Sequence, residues 1–209
     1  MEAGVAEIMN GKDPRAAFFD ERASGWEDRC YPPEARERLK ELVPLFGVKK
    51  GVTMLDLGTG TGVLAPYLRE AAGQKGTLLS LDVSFEMVRH AAKKEAYANG
   101  LVMQATAMRL PVKDETMDIV ICFAAFPHFS DKQAALEEMH RVLRHGGRLC
   151  IAHLLSREEL SRHHGGHCAV AQDKLPDDAA MRALFTNAGF PPPRITDIPG
   201  RYLASTQKE

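Results

Sequence analysis

The chain has 209 residues, 44% of them hydrophobic and 26% charged, with a formal net charge of -1. That length holds one domain with a full core, or one domain with a small cap. The balanced charge excludes a general attraction to nucleic acid or an anionic membrane, and no apolar run reaches the roughly 18 residues needed to span a bilayer.

The first residues, MEAGVAEIMNGKDPR, lack a basic head followed by an apolar run, so no secretory leader is expected. The four cysteines (Cys30, Cys122, Cys150, Cys168) form no CxxC pair, and Cys122 and Cys150 lie inside apolar runs. Buried, reduced thiols in a cytoplasmic protein are the expectation. Neither internal repeats nor low-complexity segments interrupt the chain.

Residues 1–12 read as loosely ordered. Asp13-Pro14 opens a helix through AAFFDERASGWEDRC, with Phe18, Phe19 and Trp26 apolar, until Pro32-Pro33 breaks it. PEARERLKELVPLF is a second amphipathic helix. Residues 1–50 thus form a helical cap ahead of a domain spanning 51–209. From Thr53 strands and helices alternate: TMLDL, a helix from Gly62 to Ala72, then TLLSLD ending at Asp82. A helix capped by Ser84 follows and stops at Gly100, then the strands LVMQA and MDIVICF. The nearly continuous apolar run MDIVICF suits a central strand buried on both faces. Asp131 opens the helix KQAALEEMHRVLR, closed by His145-Gly146-Gly147, and RLCIAHL is the fifth strand. A short polar helix from Ser156 to His164, an irregular stretch and a helix over DDAAMRALFTNAGF come next. RITDIPG and RYLASTQ then sit close enough for a hairpin. The pattern predicts an α/β fold: a Rossmann-like, seven-stranded, mostly parallel sheet with an antiparallel edge and helices on both faces.

Thr53 to Gly62, TMLDLGTGTG, runs from a strand through alternating glycines into a helix. Such a turn exposes bare backbone and aims helix N–H groups at a ligand. Alone it serves several nucleotide-type cofactors or a plain tight turn. Asp82, which ends the second strand 20 residues beyond Gly62, places a carboxylate where ribose hydroxyls lie in such sites; its plainer reading is a helix cap. Asp56, inside the strand just before the glycines, would repel a pyrophosphate and suits a cationic ligand.

Together LDLGTGTG, LLSLDVS, LPVKDETMDIVICFAAFPHFSD and VLRHGGRLCIAHLL resemble the signature segments of class I S-adenosylmethionine-dependent methyltransferases. Within these the chain is similar to the group holding the ubiquinone and menaquinone biosynthesis C-methyltransferases. The resemblance covers about residues 15–205 and implies S-adenosylmethionine as cofactor, with a small-molecule acceptor. It places the methionine part against Asp56 and the turn of Gly58, Thr59, Gly60 and Gly62, with Phe123 on the same side. Asp82 would take the ribose, Val83 and Met87 would flank the adenine, and Thr106, Ala107 and Met108 would edge the ring. Many relatives have an acidic residue where Thr106 stands, so that carboxylate contact is missing here.

Relatives also carry two adjacent histidines after the fourth strand; here Pro127-His128 keeps only the second. His128 could accept a proton near neutral pH, or simply bond backbone within its loop. His153, His163, His164, His167 and Cys168 form a denser group. It could be a substrate-pocket segment, a metal site or a solvated helix; adjacent His163 and His164 point differently, which argues against metal. His128, His153 and His164 are candidate bases or substrate contacts. Residues 13–31 would close over the site, with Phe19 and Trp26 as lid residues. Two other readings stay open: an NAD-dependent oxidoreductase, and a metal-handling or S-adenosylmethionine-sensing protein without turnover. A monomer or homodimer with no membrane span is expected.

Overall fold

A computed structural model of the protein describes residues 14–97, 101–164 and 173–209. The expectations for residues 1–12, His167 and Cys168 lie outside those residues, as do the side chains of His163 and His164.

Among the described residues seven strands form one sheet in the order β3-β2-β1-β4-β5-β7-β6. They are β1 (Thr53–Leu57), β2 (Thr77–Asp82), β3 (Leu101–Gln104), β4 (Met117–Phe123), β5 (Leu143–His153), β6 (Arg194–Ile198) and β7 (Arg201–Gln207). The first five run parallel. Strand order reverses beside β1, which leaves a crevice at the carboxyl ends of β1 and β4. The β6–β7 hairpin provides the antiparallel edge, and it folds back so that β7 lies between β5 and β6.

Among the described residues eight α-helices accompany the strands: α1 (Pro14–Arg22), α2 (Trp26–Cys30), α3 (Pro33–Leu42), α4 (Ala65–Ala72), α5 (Phe85–Ala91), α6 (Lys132–Val142), α7 (Arg157–His164) and α8 (Asp178–Asn187). Ser84 caps α5 by accepting from the Met87 amide at 3.1 Å, and Asp131 caps α6 from Ala134. Asp177 does the same for α8. Each side chain satisfies an N–H that the first helical turn leaves without a partner.

Several boundaries differ from the sequence reading, and α4 begins at Ala65 rather than Gly62. The first helix breaks in two, because Gly25 turns left-handed at φ 65° and separates α1 from α2. Helix α5 stops at Ala91, and a 3₁₀ turn at Glu95–Tyr97 follows. His145-Gly146-Gly147 does not end α6: that helix stops at Val142, and β5 runs through the glycines, shifting register against β4.

One face of the sheet packs Leu57, Val120, Leu136, Met139 and Phe185, with Tyr202 wholly buried. The other packs Met54, Leu68, Ile121 and Cys150 with Leu39, Leu42 and Phe46. Helix α3 and the turn after it are therefore part of the core, whereas α1 and α2 lie beyond it. Cys122 and Cys150 are buried free thiols, and Cys30 is exposed. Among the described residues no helix is long and apolar enough to cross a membrane.

Candidate functional site

The glycine turn after β1 has three left-handed residues with three different reasons. At Gly58 (φ 76°) an added Cβ would stand 2.3 Å from the Ala125 Cβ, so only glycine allows the turn to meet the end of β4. At Gly62 (φ 79°) it would meet the Tyr97 ring at 2.9 Å and Ala91 at 3.2 Å, which makes this a packing glycine. At Gly60 (φ 56°) it would meet nothing within 4 Å: that backbone faces open space. Strained positive φ at Ala124 (54°), just past β4, belongs to the same meeting of loops.

Asp82 secures the turn. One carboxylate oxygen accepts the Gly60 amide at 2.7 Å and the other accepts the Ser84 amide at 2.9 Å. The residue at the tip of β2 therefore joins the glycine turn to the start of α5. Burial dominates its titration and lifts its pKa to about 6, against the pull of those two amides.

Asp56 is deeper, 1% exposed. Its carboxylate accepts the Thr59 hydroxyl at 2.6 Å. Thr59 in turn lies 3.0 Å from the Tyr97 hydroxyl, which also bonds Ser80 at 2.9 Å. Burial raises Asp56 to about 7, with the Asp82 charge adding to the rise. A carboxyl held this high accepts a positive neighbour readily, because a cation supplies the counter-charge that burial removed.

Both acids line one cavity, whose empty space, counted together with the open solvent at its mouth, is about 890 Å³. Of the residues expected at the cofactor, Asp56, Gly58, Thr59, Gly60, Asp82, Val83, Met87, Thr106, Ala107, Met108 and Phe123 all line it. Gly62 does not; it sits behind the turn against Tyr97. Thr106 keeps its hydroxyl local, accepting the Met108 amide at 3.4 Å.

The far wall comes from elsewhere in the chain: Arg15, Phe19, Trp26 and Tyr31 of the N-terminal segment, with His128 and Phe129. Three polar anchors hold that segment down. Asp20 accepts from the Ser84 hydroxyl at 2.5 Å and the Glu86 amide at 3.1 Å. Glu27 accepts from Thr61 on the glycine turn at 2.8 Å and pairs with Lys94 at 2.5 Å. Arg15 donates to Asp173 at 2.9 Å, and Asp173 also holds His128 Nδ1 at 2.8 Å.

The candidate bases separate. His128 is in the cavity wall. His153 is buried at the end of β5 opposite Tyr202 and is not among the lining residues. His164 ends α7, and its side chain lies outside the described residues. Asp173, Arg15, Glu27 and Tyr97 were not singled out from sequence. Only Asp173 carried even a weak signal, as an acid inside the irregular stretch before the last helix.

A methyltransferase-domain family model matches residues 55–151. A ubiquinone/menaquinone biosynthesis C-methyltransferase UbiE of Citrobacter koseri is 33% identical over 171 residues, covering 69% of this chain and 68% of that protein. Its counterpart from Cronobacter sakazakii is 27% identical over 185 residues, covering 76% and 74%. Among solved structures, a SAM-dependent methyltransferase from Aquifex aeolicus superposes with a TM-score of 0.68 over 94% of this chain and 99% of that one, at 24% identity. The chain belongs to the class I S-adenosylmethionine-dependent methyltransferases. It is an enzyme whose cofactor is S-adenosylmethionine, which sets aside the NAD reading of the glycine turn.

Proposed function

We propose that this enzyme methylates a small molecule held between the cofactor and the N-terminal segment. The observation that carries the proposal is one cavity with two unlike halves. One is lined by the buried acids and bare backbone at the carboxyl ends of β1 and β2. The other is lined by the rings of Phe19, Trp26, Tyr31 and Phe129.

The first half fits the cofactor. Gly60 offers space that a side chain would fill, Asp82 offers a carboxylate to ribose hydroxyls, and Asp56 offers a negative charge to the cationic end. When bound, the cofactor supplies an electrophilic methyl on a sulfonium. Val83 and Met87 give apolar walls for the adenine, and the Thr106–Met108 backbone gives it an edge.

The residues of the second half orient the acceptor and exclude water, which is where most of the acceleration of a methyl transfer resides. Residues 14–31 act as the cap over that half. A flat, largely apolar acceptor suits four aromatic rings. The relatives named for ubiquinone and menaquinone biosynthesis agree with such a ligand.

Isothermal titration with S-adenosylhomocysteine tests the cofactor assignment; absence of binding at millimolar ligand overturns it. A product screen with methyl-labelled cofactor, run over small aromatic acceptors and over protein and RNA, tests the acceptor class. Label recovered only in macromolecules overturns the small-molecule assignment.

A further inference from the structure

We infer that Asp173 is a positioning residue for His128, and that Arg15 completes the pair from the N-terminal cap. Together they present a proton-accepting imidazole nitrogen to the acceptor half of the cavity. The inference rests on the methyl-transfer reading above and adds that the acceptor arrives carrying a proton to be removed.

The geometry starts at one atom. His128 Nδ1 lies 2.8 Å from Asp173 Oδ2. An ionised carboxylate only accepts, so Nδ1 carries the hydrogen, and a neutral imidazole so held has its lone pair on Nε2. Asp173 is 3% exposed. Burial by itself would raise its pKa, but His128 and Arg15 outweigh burial and bring it to about 2. It therefore stays charged, able to stabilise an imidazolium once His128 has taken a proton.

Arg15 Nη2 donates to Asp173 Oδ1 at 2.9 Å, with Nε at 3.4 Å from Oδ2. This sets the plane of the carboxylate. Lys132 Nζ donates to the carbonyls of Pro127 (2.9 Å) and Phe129 (3.1 Å), gripping the loop on both sides of His128. Phe19 sets its ring edge-on to the imidazole at 5.2 Å between centroids. Two segments remote in sequence, α1 with Phe19 and Arg15 and the stretch holding Asp173, thus converge on the loop that carries His128. A histidine serving only its own loop needs no buried acid and guanidinium brought from residues 173 and 15.

In the step this arrangement supports, the acceptor's proton moves to Nε2. The acceptor's electron pair forms the bond to the methyl carbon, and the S–CH₃ pair stays on sulfur. The products are methylated acceptor, S-adenosylhomocysteine and an imidazolium that returns its proton to water. An acceptor with an acidic O–H, S–H or C–H fits this balance; an already unprotonated amine does not need it.

The test uses the full chain saturated with S-adenosylhomocysteine and 4-nitrophenol as a probe whose colour reports loss of its proton. Below the probe's own pKa, wild type is expected to turn bound probe yellow, and ring ¹⁵N spectra should show His128 as the Nδ1–H tautomer. Asp173→Asn should weaken the colour about tenfold or more and mix the tautomers. Asp173→Glu should restore part of both, and Arg15→Gln should fall between. S-adenosylhomocysteine affinity should stay within about twofold throughout. No colour with wild type, or equal colour with Asp173→Asn, overturns the inference while leaving the methyltransferase reading intact. Failure of wild type to bind S-adenosylhomocysteine overturns the cofactor assignment instead. If Asp173→Asn does not fold, Arg15→Gln decides: unchanged colour and tautomer overturn the inference.

Discussion

The Gly60 amide donates to the Asp82 carboxylate at 2.7 Å. The end of β2 thereby sets the conformation of the turn after β1, and a residue expected to hold a ribose also holds the floor beneath it. Asp82→Ala removes both roles at once. S-adenosylhomocysteine affinity should fall at least about tenfold, the scale of losing one hydrogen bond to a charged group. Calorimetric titration measures it. Asp82→Asn keeps one acceptor for the Gly60 or Ser84 amide and should lose less.

Gly58 and Gly60 are two residues apart yet should fail differently. Gly58→Ala drives a Cβ into Ala125 at a left-handed φ and should cost at least about 2 kcal/mol of folding stability. Gly60→Ala has open space around its Cβ and should cost about 1 kcal/mol from φ alone. Its methyl instead intrudes on the cavity, so its larger effect should be on cofactor affinity. Urea unfolding and titration, run on both variants, separate the two outcomes.

Asp56 makes stability depend on pH. Its folded pKa, about 7, lies above the ordinary 3.8, so the folded protein keeps a proton that the unfolded chain gives up. Stability of the ligand-free protein should therefore fall as pH rises through that window. Asp82, raised to about 6, acts in the same direction. Asp173, lowered to about 2, acts oppositely: its contribution is present above 3.8 and lost as pH falls toward 2. Asp56→Asn should flatten the decline in urea midpoint between about pH 4 and 7. Binding of the cationic cofactor should expel the Asp56 proton near neutral pH, visible as a buffer-dependent binding enthalpy.

Tyr97 reaches across to the glycine turn, its hydroxyl between Thr59 and Ser80. Tyr97→Phe removes the hydroxyl that joins Thr59 to the buried Ser80 while Thr59 keeps its bond to Asp56, and should destabilise by about 1–3 kcal/mol. It should also loosen Thr59 against Asp56. A thermal melt with and without S-adenosylhomocysteine measures both; an unchanged melt would show the hydroxyl chain to be dispensable.

Glu27 ties α2 to Thr61, Lys94 and Arg36. Glu27→Ala should release the cap. Protease cleavage between residues 14 and 31 should speed up, and S-adenosylhomocysteine should dissociate faster by roughly the 2- to 10-fold expected for one partly exposed network. Stopped-flow displacement reads the second effect.

Much of this architecture was legible in the residues. Alternating apolar strands and capped helices announce the parallel sheet, since central strands such as β4 bury both faces and each helix needs its first N–H groups satisfied. The cavity wall formed by the ends of β1 and β2 was legible too, because its parts lie near strand ends in chain order. Gly62 was the exception. The sequence shows a third glycine in rhythm with two others, and only packing shows that it makes room for Tyr97 rather than for a ligand. His153 is similar: a histidine at a strand end reads as reachable, yet the hairpin behind it places Tyr202 alongside. The break at Gly25 was hidden because a single glycine within a helical pattern is also compatible with a continuous helix.

By itself the sequence determined the fold, the enzyme class and the cofactor, because local periodicity and closely spaced motifs encode strand ends and the turn between them. What the tertiary structure decided is the far wall of the cavity. Arg15, His128 and Asp173 are separated by 113 and 45 residues, and no local pattern links them. They meet because the cap, the loop after β4 and the approach to α8 all close over the same crevice beside β1. Contacts between such distant segments come from the packing of the whole chain, so their chemistry becomes visible only once it has folded.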